Sequence, residues 1–289
     1  MIQKYNISWN NNLLELGSRV CIMGILNVTP DSFSDGGVFF DSDTAVMHGV
    51  KMVEEGADII DIGGESTRPF STGVSTEEEM KRVVPVIEKL AKRIDVPISI
   101  DTTKAKVAKA AIEAGASIIN DISALSYDAD MVKVAADYGL PVILMHMQGT
   151  PQTMQESPSY CDFFEDIENF LEAAIDYAQQ NGVLRSRIII DPGIGFGKTV
   201  KHNLLIIKKL NKFKTLNCPL LIGLSRKSFI QHILKDKKVA EDKVDFSLIE
   251  VGTQAALAMA VLKGAHIVRV HNVSDTVATL KIIEAVESA

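Results

Sequence analysis

Short apolar runs alternate along this chain with longer segments in which apolar and polar residues are mixed. Several of the runs are almost continuous in Ile, Val and Leu, which is typical of parallel strands that are covered on both faces. The runs predict eight strands, at residues 20–26, 57–62, 97–100, 117–119, 141–145, 187–190, 219–222 and 265–270.

The mixed segments between these runs have the length and patterning of helices. They predict helices at residues 44–55, 76–93, 104–114, 130–138, 163–180, 203–212, 226–234, 247–263 and 274–287. Four glycines follow predicted helices, where a left-handed C-terminal cap is natural. These glycines are Gly56, Gly115, Gly139 and Gly182.

Eight alternations of strand and helix favour an α/β fold of the (β/α)8 TIM-barrel type, with a doubly wound sheet as the alternative. We expect a single domain over residues 1–289, with the barrel proper beginning at about residue 20. Ahead of it, Asn10-Asn11-Asn12 lies between short apolar patches, which predicts a short N-terminal hairpin within residues 5–18.

Composition narrows the classes of partner and location. The formal net charge of −7 and the pI of about 5.4 argue against a general nucleic-acid or anionic membrane surface. No apolar run approaches the ~18 residues of a membrane span. The first eight residues lack the pattern of a signal peptide, so we expect a cytoplasmic protein. Its three cysteines lie far apart without metal-ligand spacing and fit a reducing compartment.

Polar residues follow each apolar run, and in a barrel the active site lies at these carboxyl ends of the strands. Asp, Asn and Ser at such positions also cap helices, so each one alone is ambiguous. Cationic residues at the same ends are not capping residues, and in an acidic protein they indicate a local site for an anionic ligand. These residues are Arg68, Lys227, Arg269 and His271.

The segment after the sixth run, residues 191–199, contains three glycines and a lysine, like a phosphate-binding loop. It fails both common patterns. A Walker A loop requires Gly at the position of Pro192, and the dinucleotide fingerprint requires Gly or Ala at the position of Lys198. The segment therefore supports neither ATP nor NAD binding.

Four longer motifs resemble the signature segments of dihydropteroate synthase. They are residues 24–37, 61–69, 191–198 and 223–228, and Arg269-Val270-His271 closes the set. The resemblance extends from about residue 20 to the C-terminus. It implies a single pterin-binding TIM barrel that joins 6-hydroxymethyl-7,8-dihydropterin diphosphate to p-aminobenzoate in folate synthesis, releasing pyrophosphate. It also implies Mg2+ as cofactor, sulfonamides as competing ligands and a homodimer.

The resemblance assigns roles to individual residues. Pterin-binding residues would be Asp101, Asn120, Met145, Asp191, Phe196 and Lys227. Diphosphate-binding residues would be Asn27, Arg68, Arg269 and His271, with Asn27 also the ligand of Mg2+. Aminobenzoate-binding residues would be Phe33, Thr67, Pro69 and Ser228. Catalytic residues would be Asp35, Arg68, Asp101, Asp191 and Lys227.

Two segments carry further expectations. Residues 29–37 end in a glycine pair and would form a lid that brings Phe33 and Asp35 over the bound pterin. Ser225 is expected to cap a helix that begins at Arg226, and the free N–H groups there would receive a carboxylate.

Three residues depart from the family pattern without removing a predicted ligand: Phe70, Thr103 and Asn272. Two alternatives stay open. A methyltransferase on the same barrel, which passes a methyl group from methyltetrahydrofolate to a corrinoid, would share the pterin carboxylates but would not need cations around a diphosphate. A non-catalytic pterin-binding paralogue would be expected to lack Asn27 or the loop residues.

Overall fold

A computed structural model describes residues 3–29, 42–67, 71, 73–235 and 244–289. Its first element is the predicted hairpin, formed by antiparallel strands β1 (Tyr5–Trp9) and β2 (Asn12–Leu16). The turn places Asn10 at a φ of 46°, in the left-handed region that asparagine tolerates. The prediction of an N-terminal hairpin is therefore confirmed.

The hairpin closes the amino-terminal end of a barrel. Its buried face, which includes Ile7 and Trp9, packs against the first residues of several barrel strands, among them Cys21, Ile59 and Ile267. Side chains alternate between the two faces of a strand, so one face of the hairpin is apolar and buried while the other meets solvent.

Eight parallel strands form the barrel sheet. They are β3 (Cys21–Asn27), β4 (Ile59–Gly63), β5 (Ile98–Asp101), β6 (Ile118–Asp121), β7 (Val142–Met145), β8 (Ile188–Asp191), β9 (Leu221–Gly223) and β10 (Ile267–Val270). Their order in the sheet is β8-β7-β6-β5-β4-β3-β10-β9. A parallel bridge between Ile190 and Leu220 joins the two ends. This closure confirms the TIM barrel and excludes the doubly wound sheet, whose outer strands do not pair.

Helices follow the strands and cover the sheet. They are α1 (Ser42–Glu54), α2 (Thr76–Leu90), α3 (Ala105–Ala114), α4 (Met131–Asp137), α5 (Phe163–Gln180), α6 (Val200–Lys208), α7 (Ser228–Leu234), α8 (Phe246–Leu262) and α9 (Val273–Glu287). The main apolar core lies between these helices and the outer face of the strands. Within the described residues, no helix combines the length and apolar character needed to cross a bilayer.

The sixth and seventh helices differ from their predicted bounds. The sixth helix begins at Val200 instead of 203, because the Thr199 hydroxyl accepts a hydrogen bond from the His202 N–H and caps it. It ends at Lys208, and the chain continues as a 3-10 helix over Leu210–Leu216. The seventh helix begins at Ser228, two residues later than predicted.

The glycine caps are as predicted. The φ angles are 110° at Gly56, 122° at Gly115, 61° at Gly139 and 96° at Gly182, all in the left-handed region. At Gly115 a Cβ atom would also lie 2.7 Å from the Cβ of Ala91, so both backbone conformation and space require glycine there.

Trp9→Ala is expected to lower the free energy of unfolding by about 3–5 kcal/mol, because this side chain is 1% exposed and packs against the amino-terminal end of the barrel. Trp9→Phe, the matched control, keeps a ring and removes an indole N–H that has no partner among the described residues. Urea unfolding followed by circular dichroism measures the change in both variants. Tryptophan fluorescence does not serve here, because Trp9 is the only tryptophan of the sequence and both variants lack it. Equal losses in the two variants would contradict this account.

Candidate active site

The carboxyl ends of neighbouring strands bring predicted pterin-binding residues together. Asp101 of β5 lies opposite Asn120 of β6 in the sheet, and Met145 of β7 lies opposite Asp191 of β8. Because successive side chains on a strand point to opposite faces, Asn120 and its neighbour Asp121 face different environments. Asp121 accepts hydrogen bonds from Ser123 and Leu125 in the loop that follows β6, so it supports that loop.

A buried ion-pair network crosses the interior of the barrel at this end. Arg269 of β10 donates from Nε to Asp61 and from Nη2 to Asp101, each at 2.6 Å. Asn120 donates to the same oxygen of Asp61 at 3.0 Å. Asp61, which is fully buried, thereby holds two of its neighbours in place. Sequence reasoning gave Asp61 no role, although its place near a strand end was a signal.

Burial raises the pKa of Asp101 to about 7. Arg269 opposes this shift, while the nearby carboxylates of Asp61, Glu79 and Asp121 add to it. A buried carboxylate loses the solvation of its charged form, and like charges disfavour that form further. Asp101 therefore changes its charge near neutral pH, which is a property of functional sites as well as of structural ion pairs.

Asp191 and Lys227 are a second pair of opposite charges that act on each other in the site. Burial raises the pKa of Asp191, opposed by the Gly193 N–H at 2.7 Å and by Lys227. Burial also lowers the pKa of Lys227 to about 8. The Lys227 ammonium lies 4.1 Å from the centroid of the Phe196 ring, within cation–π range. An apolar patch adjoins these charges, formed by Ile122, Met145, Met147, Met154 and Phe196.

The glycines after β8 serve close packing. Gly193, Gly195 and Gly197 have φ angles of 72°, 84° and 65°. A Cβ at Gly193 would lie 1.8 Å from the carbonyl oxygen of His146, and one at Gly195 would lie 3.0 Å from the Lys227 side chain. The backbone thus approaches both the end of β7 and the side chain of Lys227 as closely as glycine allows.

Lys198 anchors this loop from behind, a role that sequence reasoning missed. Its ammonium lies 2.8 Å from Nδ1 of His146 and donates to the carbonyl of Phe196 at 3.0 Å. Burial lowers the pKa of Lys198 to about 7 and that of His146 to about 2, so the histidine is neutral. A lysine at the end of a glycine-rich segment was the available signal.

The segment after β9 differs from the prediction. Ser225 does not cap a helix: its hydroxyl lies 2.9 Å from Nδ1 of His271 and accepts a hydrogen bond from the His271 N–H at 3.3 Å. Helix α7 begins three residues later, with Ser228 exposed at its first position and no side-chain cap. The serine instead joins the ends of β9 and β10.

Asn27 lies at the end of β3, opposite Gly63 of β4, and is partly buried. Its side-chain amide forms no hydrogen bond with the described residues, so its oxygen is available to a ligand. Among the described residues, no group of three or more His, Cys, Asp or Glu residues has the arrangement of a metal centre. Five residues named from the sequence lie outside the described residues: Phe33, Asp35, Arg68, Pro69 and Phe70.

Two residues that depart from the family pattern have clear structural places. Asn272 caps α9 by accepting a hydrogen bond from the Asp275 N–H at 3.1 Å. Thr103 lines a cavity of about 130 Å3 that reaches Thr67 and Asp101. Neither residue disturbs the network around Arg269.

Comparison with known proteins agrees with this geometry. The model of the pterin binding enzyme family matches residues 23–271. Dihydropteroate synthase of Synechocystis is 46% identical over 273 residues, covering 94% of this chain and 92% of that protein.

Two solved structures extend the comparison. Yersinia pestis dihydropteroate synthase in a sulfonamide drug complex has a TM-score of 0.89 and 44% identity, covering 98% and 99% of the two chains. The Xanthomonas albilineans enzyme with 4-aminobenzoic acid has a TM-score of 0.89 and 40% identity, covering 99% and 100%. On the family match and these identities over nearly full lengths, the chain belongs to the dihydropteroate synthase family of pterin-binding enzymes.

Proposed function

We propose that this protein is a transferase of folate biosynthesis that condenses 6-hydroxymethyl-7,8-dihydropterin diphosphate with p-aminobenzoate, giving 7,8-dihydropteroate and pyrophosphate. The observation that carries the proposal is the arrangement of Asp101, Asn120, Asp191 and Lys227 around an apolar patch. The aminobenzoate and sulfonamide of the two related structures are the kinds of ligand that we propose for this chain.

The site suits a pterin because this flat heterocycle presents several N–H donors along one edge. Carboxylate and amide oxygens of Asp101, Asn120 and Asp191 accept such donors. Lys227 supplies a donor to the acceptor side of the ring, and Met145 and Phe196 supply apolar contact with its faces. Recognition therefore needs acceptors and a cation beside an apolar surface, as in this site.

In this proposal the diphosphate would lie near the ends of β3 and β10. Arg269 uses two of its five N–H groups on Asp61 and Asp101, which leaves three donors for phosphate oxygens. His271 and Arg68 complete the cationic group in this proposal. Asn27 would hold Mg2+ through its side-chain oxygen, since this hard cation accepts oxygen ligands, retains waters and also takes phosphate oxygens. Bound Mg2+ would supply positive charge to the leaving group.

The chemistry breaks the bond between the pterin methylene carbon and the diphosphate oxygen, and the electron pair leaves with the diphosphate. Asp101 and Asp191, with Asp35, would stabilise the resulting pterin cation by their negative charge. The amine nitrogen then forms the new C–N bond and loses a proton. Because an arylamine is already neutral near pH 7, this step requires no dedicated base.

In this proposal aminobenzoate would lie beside the apolar patch, against Thr67 and Ser228, with Phe33 and Pro69 completing its walls. Ser228 is exposed at the first position of α7, where its hydroxyl and the free N–H groups can receive a carboxylate. The cationic group argues for this reaction against the corrinoid methyltransferase, which would need no cations around a diphosphate.

The direct test supplies the dihydropterin diphosphate, p-aminobenzoate and Mg2+, and measures pyrophosphate and dihydropteroate. We expect both products in equal amounts. Asp191→Asn keeps nearly the same side-chain shape and is expected to lower kcat by roughly 100-fold or more, because it removes charge that stabilises the pterin cation. Well-folded wild-type protein that forms no product would sink the proposal, and methyl transfer from methyltetrahydrofolate to a corrinoid would favour the rival.

Asn27→Ala is expected to weaken binding of the diphosphate substrate roughly tenfold or more in Mg2+, because one oxygen ligand to a charged group is lost. Binding of 6-hydroxymethylpterin, which has no diphosphate, should be unchanged. Titration calorimetry measures both, and in EDTA the variant and the wild type should bind the substrate alike. Unchanged diphosphate affinity in Mg2+ would remove Asn27 from the metal site.

A homodimer is part of this proposal, and helix α8 offers a surface for it. α8 is apolar on all sides, and its outward face leaves Val251 64% and Leu262 51% exposed. The neighbouring helix α9 leaves Ile282 68% exposed. A helix that is apolar all round is normally buried all round. A second copy of this chain would cover this face through a two-fold interface.

Val251→Asp is expected to convert the dimer to a monomer, because a two-fold interface would bury the new charge twice. Sedimentation velocity measures the change at micromolar protein. Leu13→Asp is the control, since Leu13 is also exposed, at 57%, but lies on the hairpin. A wild-type monomer, or a dimer that both variants retain, would contradict this interface.

A further inference from the structure

One lysine outside the proposed pterin contacts joins three segments of the site. The Lys104 ammonium donates to Glu79 of α2 at 2.6 Å and to Glu65 in the segment after β4. Lys104 itself precedes α3 and follows Asp101 by three residues. The same side chains line the cavity that reaches Thr67.

Glu79 has an unusual position for a carboxylate. It is 0% exposed, on a face of α2 that is otherwise apolar and includes Val83 and Val86. One of its oxygens, Oε1, has no partner among the described residues. A buried ion pair is often no more stabilising than apolar side chains of the same volume. Stability alone therefore gives a weak account of Glu79, and its contact with Lys104 indicates a role in the site.

The ion bridge fixes the base of the segment after β4. Glu65 stands two residues before Thr67, and a Cβ added to Gly73 would lie 2.9 Å from the Glu65 carboxylate. Arg82 donates to the carbonyl of Gly64 at 2.9 Å. Lys104 thus completes the restraint on the stretch that presents Thr67 to the proposed aminobenzoate site.

The bridge also lies beside Asp101, since Glu79, Lys104 and Asp101 line the same cavity. Glu79 is one of the carboxylates that raise the pKa of Asp101, and Lys104 neutralises Glu79 at close range. The other charged groups that act on Asp101 lie on surrounding elements: Asp61 of β4, Asp121 of β6, Lys227 before α7 and Arg269 of β10.

We propose that Lys104 is a positioning residue for the reaction: through Glu65 it fixes the segment that carries Thr67, and through Glu79 it balances the negative charge beside Asp101, the pterin acceptor. This role rests on the proposed function, because it assumes that Asp101 accepts a hydrogen bond from the pterin.

The test measures the affinity of the folded protein for 6-hydroxymethylpterin between pH 5 and 9 by fluorescence. Binding needs ionised Asp101, so it is lost as the pH falls through the pKa of that group, about 7. Glu79→Gln removes a nearby negative charge while Lys104 stays paired with Glu65, so the midpoint should move to lower pH. Lys104→Met leaves both glutamates uncompensated, so the midpoint should move to higher pH.

Each shift is expected to be about half a pH unit or more, which is a threefold change in affinity on the acid side. Lys104→Arg should restore the wild-type midpoint. Damage to packing alone would lower the affinity at every pH and leave the midpoint in place. Midpoints that stay fixed, or move in the same direction in both variants, would overturn the role of Lys104. If Lys104→Met fails to fold, Lys104→Gln, which also removes the positive charge, takes its place with the same expected shift.

Turnover separates this inference from the proposed function. Lys104→Met should raise KM for p-aminobenzoate more than it lowers kcat, because Thr67 loses its fixed base. If the wild type makes dihydropteroate but the midpoints do not move, only the Lys104 inference fails. If the midpoints move as expected but no dihydropteroate forms, the proposed reaction fails and the effect of Lys104 on pterin binding stands.

Discussion

The ion pairs of Arg269 with Asp61 and Asp101 are the interaction on which the end of the barrel formed by the carboxyl ends of the strands depends. Three charged groups meet there with little access to water, and each is tolerable only because the others are present. The contact exists because the barrel is closed: β10 and β5 are separated by two strands in the sheet, and their side chains meet across its interior. Closure therefore assembles the chemistry as well as the core.

The same burial acts in opposite directions on acids and bases. It raises the pKa of Asp101 to about 7 and lowers the pKa of Lys227 to about 8. At neutral pH the protonation states of these side chains therefore depend on their contacts with one another more than on their ordinary pKa values. A ligand that brings N–H donors and a diphosphate changes those contacts, so its binding is coupled to the protonation of the site.

Sequence patterns were sufficient for much of the fold. Apolar runs located all eight strands, and α5 has both predicted ends, with Asp162 capping its first turn. The pattern could not show which side chains meet across the barrel. Arg269 and Asp61 are 208 residues apart, and periodicity assigns each a face without assigning a partner. The role given to Ser225 failed for the same reason, since its contact is with His271, which follows another strand.

The two ends of the barrel divide stability from chemistry. The hairpin end is apolar, whereas the opposite end contains buried carboxylate oxygens without partners among the described residues, on Asp61, Glu79 and Glu250. Each of these residues pairs with a cation in a segment that borders the site, and one of those cations, Arg226, has a φ of 59°. Such groups reduce stability where they lie. The apolar packing at the hairpin end offsets that cost. The other end can therefore keep charged groups in fixed positions, with some of their hydrogen-bonding oxygens unpaired.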